Sequence, residues 1–481
     1  MKTEPREPSF PIAMTALALV VAILSLGMFV LGADLHGLLI VCIVVTAIIC
    51  KFLGLDYEKI EVCLCDGINR AVTSLFIFIL IGMLMGSWTQ SGTVPALVYY
   101  GLRTLSPSWF LPAGYVVTAV MAFATGSCWG TGGTLGVALL GIGAGMNIPI
   151  PLVAGMVISG SYFGDKMAPV SDTNNLSTAN SGADLYGHIA AMAKTAIPTF
   201  IISLVLYAVI GLRYSSVSYD AGAVDEVCRI LSSEFHISFL SLLPLGVLLV
   251  VSFLKVPAVV ALLAGVLSGD VIAVTTQGVG LAQILHCWNK GFSGSTGNAI
   301  VDQVLNNGGI QSMMWTFSLA FLGIALGGLL DGSGILRVII EHVTRWVRSA
   351  FVLVLVTIVS SVASNVVMGE NYLSSILNSR LWGTAYDKLG LQRRMLSRCV
   401  EEGATLSSPL IPWTTAGAFF YGAFKMSPIT YLPFAFTNYI CPLLSIVLVF
   451  FGLTIVRVPA EGAHDPYYER ERRNLAEGAE K

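Results

Sequence analysis

Charge is scarce in this chain: Asp, Glu, Lys and Arg make up 11% of its 481 residues, against 55% hydrophobic. With a mean hydropathy of +0.79, such a composition cannot cover a water-soluble globule and implies a polytopic membrane protein. The near-neutral net charge of -2 excludes a nucleic-acid surface. No long polar domain interrupts the hydrophobic segments; the longest polar stretches are Tyr214 to His236 and the tail after Arg457. The nine cysteines are scattered, and Cys63-Leu64-Cys65 has no partner pair at metal spacing, which argues against a disulfide framework or a zinc site. H-E-x-x-H, G-x-S-x-G, a histidine cluster and a nucleotide-binding loop are all missing. A membrane-embedded enzyme is therefore unsupported, no cofactor is expected, and any work must draw on an ion gradient.

What is present is a series of apolar runs near the ~20 residues that a bilayer span needs. They cover Pro11 to Gly32, read as an uncleaved anchor, then Gly37 to Gly54, Val72 to Gln90, Leu185 to Leu212, Ser238 to Leu254, Val259 to Thr275, Met313 to Leu330 and Tyr431 to Val456. Two zones, Leu111 to Met146 and Phe351 to Asp387, are too short for two spans and carry "ATGSCWGTGG" and "ASNVVMGEN" at their centres. Each reads as a helix, a non-helical tip and a helix returning to the same side.

The chain also resembles itself. "IGMLMGSWTQSG" at Ile81 to Gly92 matches "LGIALGGLLDGSG" at Leu322 to Gly334, and each is followed by a polar-tipped zone and then a proline-broken segment, with Pro169 and Pro409 in matching places. Repeats of this length imply two copies of one unit. The expected division is 11–213 for the first, 214–237 for an extracytoplasmic linker, 238–456 for the second and 457–481 for a cytoplasmic tail. With the N-terminus in the cytoplasm, only Arg103, Arg213, Arg229, Lys290 and Lys425 fall outside, and the loop "LQRRMLSR" is basic where its counterpart "AGMNIPI" has no charge. This is the pattern of two inverted units under the positive-inside rule. The expected fold class is an all-α polytopic membrane protein with ten full spans and two re-entrant hairpins.

The most polar intramembrane stretch is "SYFGDKMAPVSDTNNLSTA", Ser161 to Ala179. In hydrocarbon every backbone N–H and C=O needs a partner, so a proline break survives only where it lines a cavity inside the protein. Paired breaks in two repeats point to a transport site. Intramembrane carboxylates are functional candidates by default. Asp172, read as lying in the unwound turn, is the expected sodium ligand or proton carrier, with Asp165 next in line and Ser171, Thr173, Asn174 and Asn175 supplying neutral groups. Thr125 and Ser127 at the first hairpin tip, Asn365, Glu370 and Asn371 at the second, and Thr414 with Thr415 in the second break complete the candidate set. Bland alternatives exist: an aqueous loop for Asp165 and Lys166, a small-residue packing face for "TGSCWGTGGT", a polar surface loop for Asn365 to Asn371. Glu401 and Glu402 are equally readable as salt-bridge partners of Arg394 or Arg398, and Asp270 and Asp331 as water-contacting residues near helix ends.

"GSYFGDKMAPVSDTNNLSTA", "GSCWGTGGTLGVALLGIGAGM" and "SSPLIPWTTAGAF" together resemble the motifs of the NhaC-type sodium/proton antiporters, a family that also includes malate/lactate exchangers. The likeness covers nearly the whole chain. It implies inverted repeats, re-entrant hairpins, elevator-type movement, and sodium and protons as transported ions in the cytoplasmic membrane. It places Asp165, Lys166, Ser171, Asp172, Thr173, Asn175, Trp129, Gly130, Thr131, Pro412, Trp413 and Thr415 on family motif positions. Ala168, Asn174 and Thr414 depart from the usual serine, threonine and asparagine, which bears on substrate more than fold. A small organic acid and a second copy of the chain remain open as partners. An organic acid would need donors, which half-helix N-termini, Asn174, Asn175 and the Thr414-Thr415 pair could offer.

Overall fold

A computed structural model describes residues 8–104, 106–169, 171–214, 221–254, 256–298, 301–302, 305–306, 308–344, 349–459 and 464–479. They are helical throughout; the one β-bridge among the described residues joins Leu391 to Arg457. Among the described residues, seven helices are long and apolar enough to cross a membrane, or up to ten if each of three bent pairs is one span. Three expected single spans are in fact parts of bent pairs. Val72–Gln90 continues into Thr93–Thr104 after a 66° bend, the span after Ser238 follows Asp225–Glu234 at 88°, and Pro428–Phe434 turns by 60° into Phe436–Phe450. The stretch expected to be a mere linker therefore contains a helix, Ala221–Glu234, while 215–220 lie outside the described residues.

Thirteen of the described helices hold the site and its surroundings. They are α1 (Val72–Gln90), α2 (Pro107–Thr125), α3 (Val137–Gly145), α4 (Ile150–Met167), α5 (Asp172–Ser181), α6 (Leu185–Leu212), α7 (Ile310–Gly332), α8 (Ala350–Met368), α9 (Asn371–Lys388), α10 (Arg393–Ser407), α11 (Thr415–Phe424), α12 (Phe436–Phe450) and α13 (Pro466–Ala479). α2 and α3 are the limbs of the first expected hairpin, and α8 and α9 those of the second. α4 with α5, and α10 with α11, are the two broken helices.

Both hairpin tips have the same backbone. A glycine in the left-handed region (φ 65° at Gly126 and at Gly369) stops the first limb, where a side chain would be strained. An extended residue then caps the return limb, Ser127 (φ -142°, ψ 110°) in one and Glu370 (φ -146°, ψ 120°) in the other. The breaks echo each other likewise: Ala168 and Ile411 end the first halves in extended conformation, and Ser171 and Thr414 cap the second halves. The separation is constant at 243 residues (369 − 126, 411 − 168). Pro169 therefore corresponds to Pro412, not to Pro409 as the sequence alignment had it; Pro409 sits in the turn of 3-10 helix before the break.

The chain's last described helix is not a free tail. Glu471, 2% exposed, accepts from the backbone N–H groups of Arg393 (2.5 Å) and Arg394 (3.2 Å) at the start of α10, whose N-cap Gln392 makes no side-chain cap. Asp465 takes Arg394 Nη2 at 2.6 Å, Arg470 approaches Asp184 at 3.5 Å, and Leu475 packs on Gly182. α13 thus clasps the start of α10 to the α5–α6 turn. Burial pushes the Glu471 carboxyl up to about 7, outweighing the two N–H groups and the arginines that lower it. A group raised in the docked state favours docking when protonated, so the clasp should weaken as pH rises through about 7. A Leu475→Cys label should then react faster above that pH, and Glu471→Gln should flatten the profile; a pH-independent labelling rate in both proteins would refute it.

Candidate functional site

The broken helices meet the requirement that freed carbonyls find partners. In the first break Asn174 Nδ2 reaches the carbonyls of Lys166 and Ala168 at 2.9 Å and of Asp165 at 3.3 Å. Asn175 Nδ2 donates to Ser171 O at 2.8 Å and Pro169 O at 3.2 Å. In the second, Asn365 Nδ2 donates to Ala404 O at 2.8 Å, Asn438 to Leu406 O at 3.0 Å, Tyr431 to Pro409 O at 2.5 Å and Thr414 to Ser408 O at 2.5 Å. The second hairpin tip is stitched to this break by Thr415 N to Gly369 O (2.8 Å) and Trp413 Nε1 to Val366 O (2.6 Å). Across the halves, Trp129 of the first hairpin stacks on Phe419 of α11 at 5.1 Å and 5°.

Several expected ligands are thereby consumed as structure. Asn174, Asn175 and Thr414 spend their donors on backbone, the Thr125 hydroxyl turns back to Met121 O at 3.0 Å, and Ser127 caps Gly130 N at 3.0 Å. Thr173 pairs with Ser171 at 3.0 Å. Carboxylates and a few unspent groups remain. Asp165 is 2% exposed, and its carboxylate lies against the Cys128 thiol and the Ser171 hydroxyl. Glu370 is 1% exposed; one oxygen accepts from Tyr372 N at 3.2 Å and the other has no partner. The buried Thr415 hydroxyl faces it. Asn371 and Asn365 are buried beside the same tip, Asn365 with Oδ1 unpartnered. Burial of Asp165, Lys166, Asn365, Glu370 and Asn371 rules out both the aqueous-loop and the surface-loop alternatives.

Asp172 does not lie in the unwound turn. It is the first residue of α5, with Ser171 as N-cap, and its side chain is exposed. By the 243-residue correspondence Asp172 matches Thr415 and Ser127 matches Glu370, so each half offers one hydroxyl and one carboxylate with their places exchanged. Tyr372, which sequence reasoning passed over, is the joint: its phenol feels Asp172, Glu370, Cys128 and Asp165 at once. Only its position three residues past the quoted tip glycine hinted at it. Lys166 does not pair with Asp165; its buried Nζ has no hydrogen-bond partner. The anticipated Arg394 pair forms with Asp465 instead, while Arg398 stands 3.8 Å from Glu402. Asp270 is not a water-contacting end residue: it is 8% exposed and held by Ser87 Oγ at 2.8 Å and Trp288 Nε1 at 3.1 Å.

Residues 160–453 match the model of the Na+/H+ antiporter family. The Na+/H+ antiporter NhaC of Alkalihalophilus pseudofirmus is 35% identical over 91% of this chain and 95% of its own length. The malate-2H+/Na+-lactate antiporter of Bacillus subtilis is 35% identical over 83% and 86%, and the arginine/ornithine antiporter ArcD of Halobacterium salinarum is 34% identical over 93% of each. These relatives are transporters, not enzymes. With its helical architecture, its membrane-length helices and this similarity along nearly its whole length, the chain belongs to the NhaC family of Na+/H+ antiporters.

Proposed function

We propose that the protein exchanges sodium for protons across the cytoplasmic membrane as a secondary active transporter, with Asp165 as the carboxylate that carries one or the other. The observation that carries this reading is the burial of Asp165 at 2% exposure against the first break, with no ion pair closing on it among the described residues. A buried carboxylate of this kind must hold a proton or a cation. Glu370 with Thr415, and Asp172 at the exposed start of α5, extend the same acidic lining, and the Tyr372 phenol lies within electrostatic reach of all three carboxylates. A proton and a sodium ion exclude each other at one carboxylate, which is what exchange requires.

The organic-acid alternative needs free donors, and Asn174, Asn175 and Thr414 have spent theirs on backbone carbonyls, while the unspent Thr415 hydroxyl faces the Glu370 carboxylate. An anion would also meet an excess of carboxylates. The cation reading is therefore preferred, although one relative is named for malate and lactate and another for arginine and ornithine.

The matched tips and breaks support two inverted units, 11–213 and 238–456, whose hairpins and broken helices move as one body in an elevator-type cycle, with both termini in the cytoplasm. Cysteines at Asn147 and at exposed Lys388 should then be labelled from opposite sides of the membrane; labelling from the same side would refute the inversion. Gln392 would not serve, because it is 2% exposed beneath α13. The function itself is tested in proteoliposomes loaded with sodium. Diluting them into sodium-free medium should acidify the lumen as protons replace sodium, with no added organic acid. A pH change that appears only with malate, lactate or an amino acid would overturn the proposal.

A further inference from the structure

Between the two broken helices lies a buried charged cluster of which the site above uses only Asp165. α4 brings Asp165 and Lys166 (2% and 1% exposed), and α10 brings Arg398, Glu401 and Glu402 (all 0%). α5 brings Ser177 and α6 brings His188, both 0% exposed.

The charges can be counted from the contacts. Arg398 and Glu402 stand 3.8 Å apart one turn along α10, and Glu402 also accepts from Thr195 Oγ1 at 2.6 Å, so this pair balances itself. Two carboxylates of the cluster, Asp165 and Glu401, then stand against one remaining basic group, Lys166. Glu401 Oε2 accepts from Ser177 Oγ at 2.7 Å, while its Oε1 and Lys166 Nζ have no hydrogen-bond partner. Asn174 has used its amide N–H groups on the break, so its Oδ1 accepts a hydrogen bond from His188 Nε2–H at 3.3 Å, and His188 Nδ1 lies 2.7 Å from Ser397 Oγ. In this fully buried place the neutral ring, with Ser397 as donor to Nδ1, satisfies both contacts without burying another charge. Asp165 and Glu401 interact electrostatically, and His188 interacts with Glu401, Lys166 and Arg398. Among the described residues, the other titratable groups facing the cluster are Asp172 from α5, Cys128 from the first hairpin, Tyr162 from α4, Tyr372 and Tyr386 from α9, Cys399 from α10, and Cys441 from α12, whose thiol reaches Glu402 at 4.0 Å.

We propose that Glu401 is a second coupling carboxylate, sharing with Asp165 the one transported cation that this buried cluster lacks. The inference rests on the sodium/proton reading and deepens it. An uncompensated buried charge is strongly disfavoured, so the cluster is stable with one sodium or one proton and unstable with neither. The carrier therefore cannot return empty, and exchange becomes obligatory through charge balance across the two halves.

The test uses the full-length protein, with sodium binding read as sodium-dependent thermal stabilisation in detergent and coupling read in proteoliposomes. Glu401→Gln keeps the acceptor for Ser177 but makes the empty cluster neutral; sodium affinity and exchange rate should each fall at least ~10-fold. Lys166→Gln leaves Glu401 and its hydrogen bond intact and adds one uncompensated charge, so sodium should bind at least ~10-fold more tightly. The double variant restores the original balance, and its sodium affinity should return to within ~3-fold of wild type. A merely structural Glu401 would tolerate Gln and gain nothing from the second change. Wild-type affinity in Glu401→Gln, no tightening in Lys166→Gln, or a double variant no better than Glu401→Gln each overturns the proposal. Absence of sodium-dependent proton movement in the wild type would instead sink the antiport reading.

Discussion

Asp165→Asn is expected to abolish sodium-driven proton movement while the protein remains folded in the membrane. Asparagine keeps the size of the side chain and can still meet the Cys128 thiol and the Ser171 hydroxyl that border it. It can neither release a proton nor offer a charge to sodium. With no titratable carboxylate the site cannot alternate between proton and sodium, so the exchange rate should fall at least ~100-fold. Asp172→Asn is the informative comparison. Asp172 is exposed at the first turn of α5, where it favours an approaching cation and the helix N-terminus together, and its loss should reduce exchange by no more than ~10-fold. Rates from sodium-loaded proteoliposomes, normalised to reconstituted protein, decide between them. If Asp165→Asn exchanges at the wild-type rate and Asp172→Asn does not, the carrier is Asp172, and burial was the wrong criterion.

That contrast also marks how far the sequence could be read. The two interruptions were legible because a Gly-rich or polar stretch inside an apolar zone has few solutions in a bilayer, and both helices stop at the expected residues, Gly126 and Gly369. The breaks were legible because proline and polar residues cannot sit in lipid unpaired. What could not be read was the fate of each polar side chain at a break. Asn174 looks like a ligand in sequence, yet the carbonyls freed by the break claim its amide, and nothing local distinguishes the two uses. Asp172 looked better than Asp165 because it follows the proline more closely, whereas exposure is decided by α9 and α10, hundreds of residues away. The Ser177–Glu401 bond spans 224 positions, and the clasp of Glu471 on Arg393 spans 78. Such pairings leave no periodicity. The repeated glycines did carry a signal, but one of proximity rather than of chemistry: Gly323 and Gly327 on α7 are where the second hairpin and the second break come close.

Replacing Gly327 with alanine should therefore disable transport without touching a polar group. A Cβ there would stand 2.3 Å from Met368 O and 2.6 Å from Met368 Cα, both backbone atoms at the hairpin tip. A side chain can rotate away from such a clash, but a backbone carbonyl two residues before Glu370 cannot. The tip must shift by on the order of 1 Å, a displacement that costs ~100-fold in rate when it misplaces reacting groups. Gly369 in its left-handed turn and Thr415, which donates its N–H to Gly369 O, would move with it, so Glu370 and the second break lose register together. If the hairpin also slides past α7 during the cycle, the added methyl obstructs every position along the path. Gly246→Ala is the control, since a Cβ there meets nothing within 4 Å, and helical alanine is favoured over glycine by about 1 kcal/mol; it should transport normally and melt no lower. Transport at the wild-type rate in Gly327→Ala, with the protein equally stable, would mean that the tip is not held against α7 in the working transporter, and the placement of Glu370 in the acidic lining would fall with it.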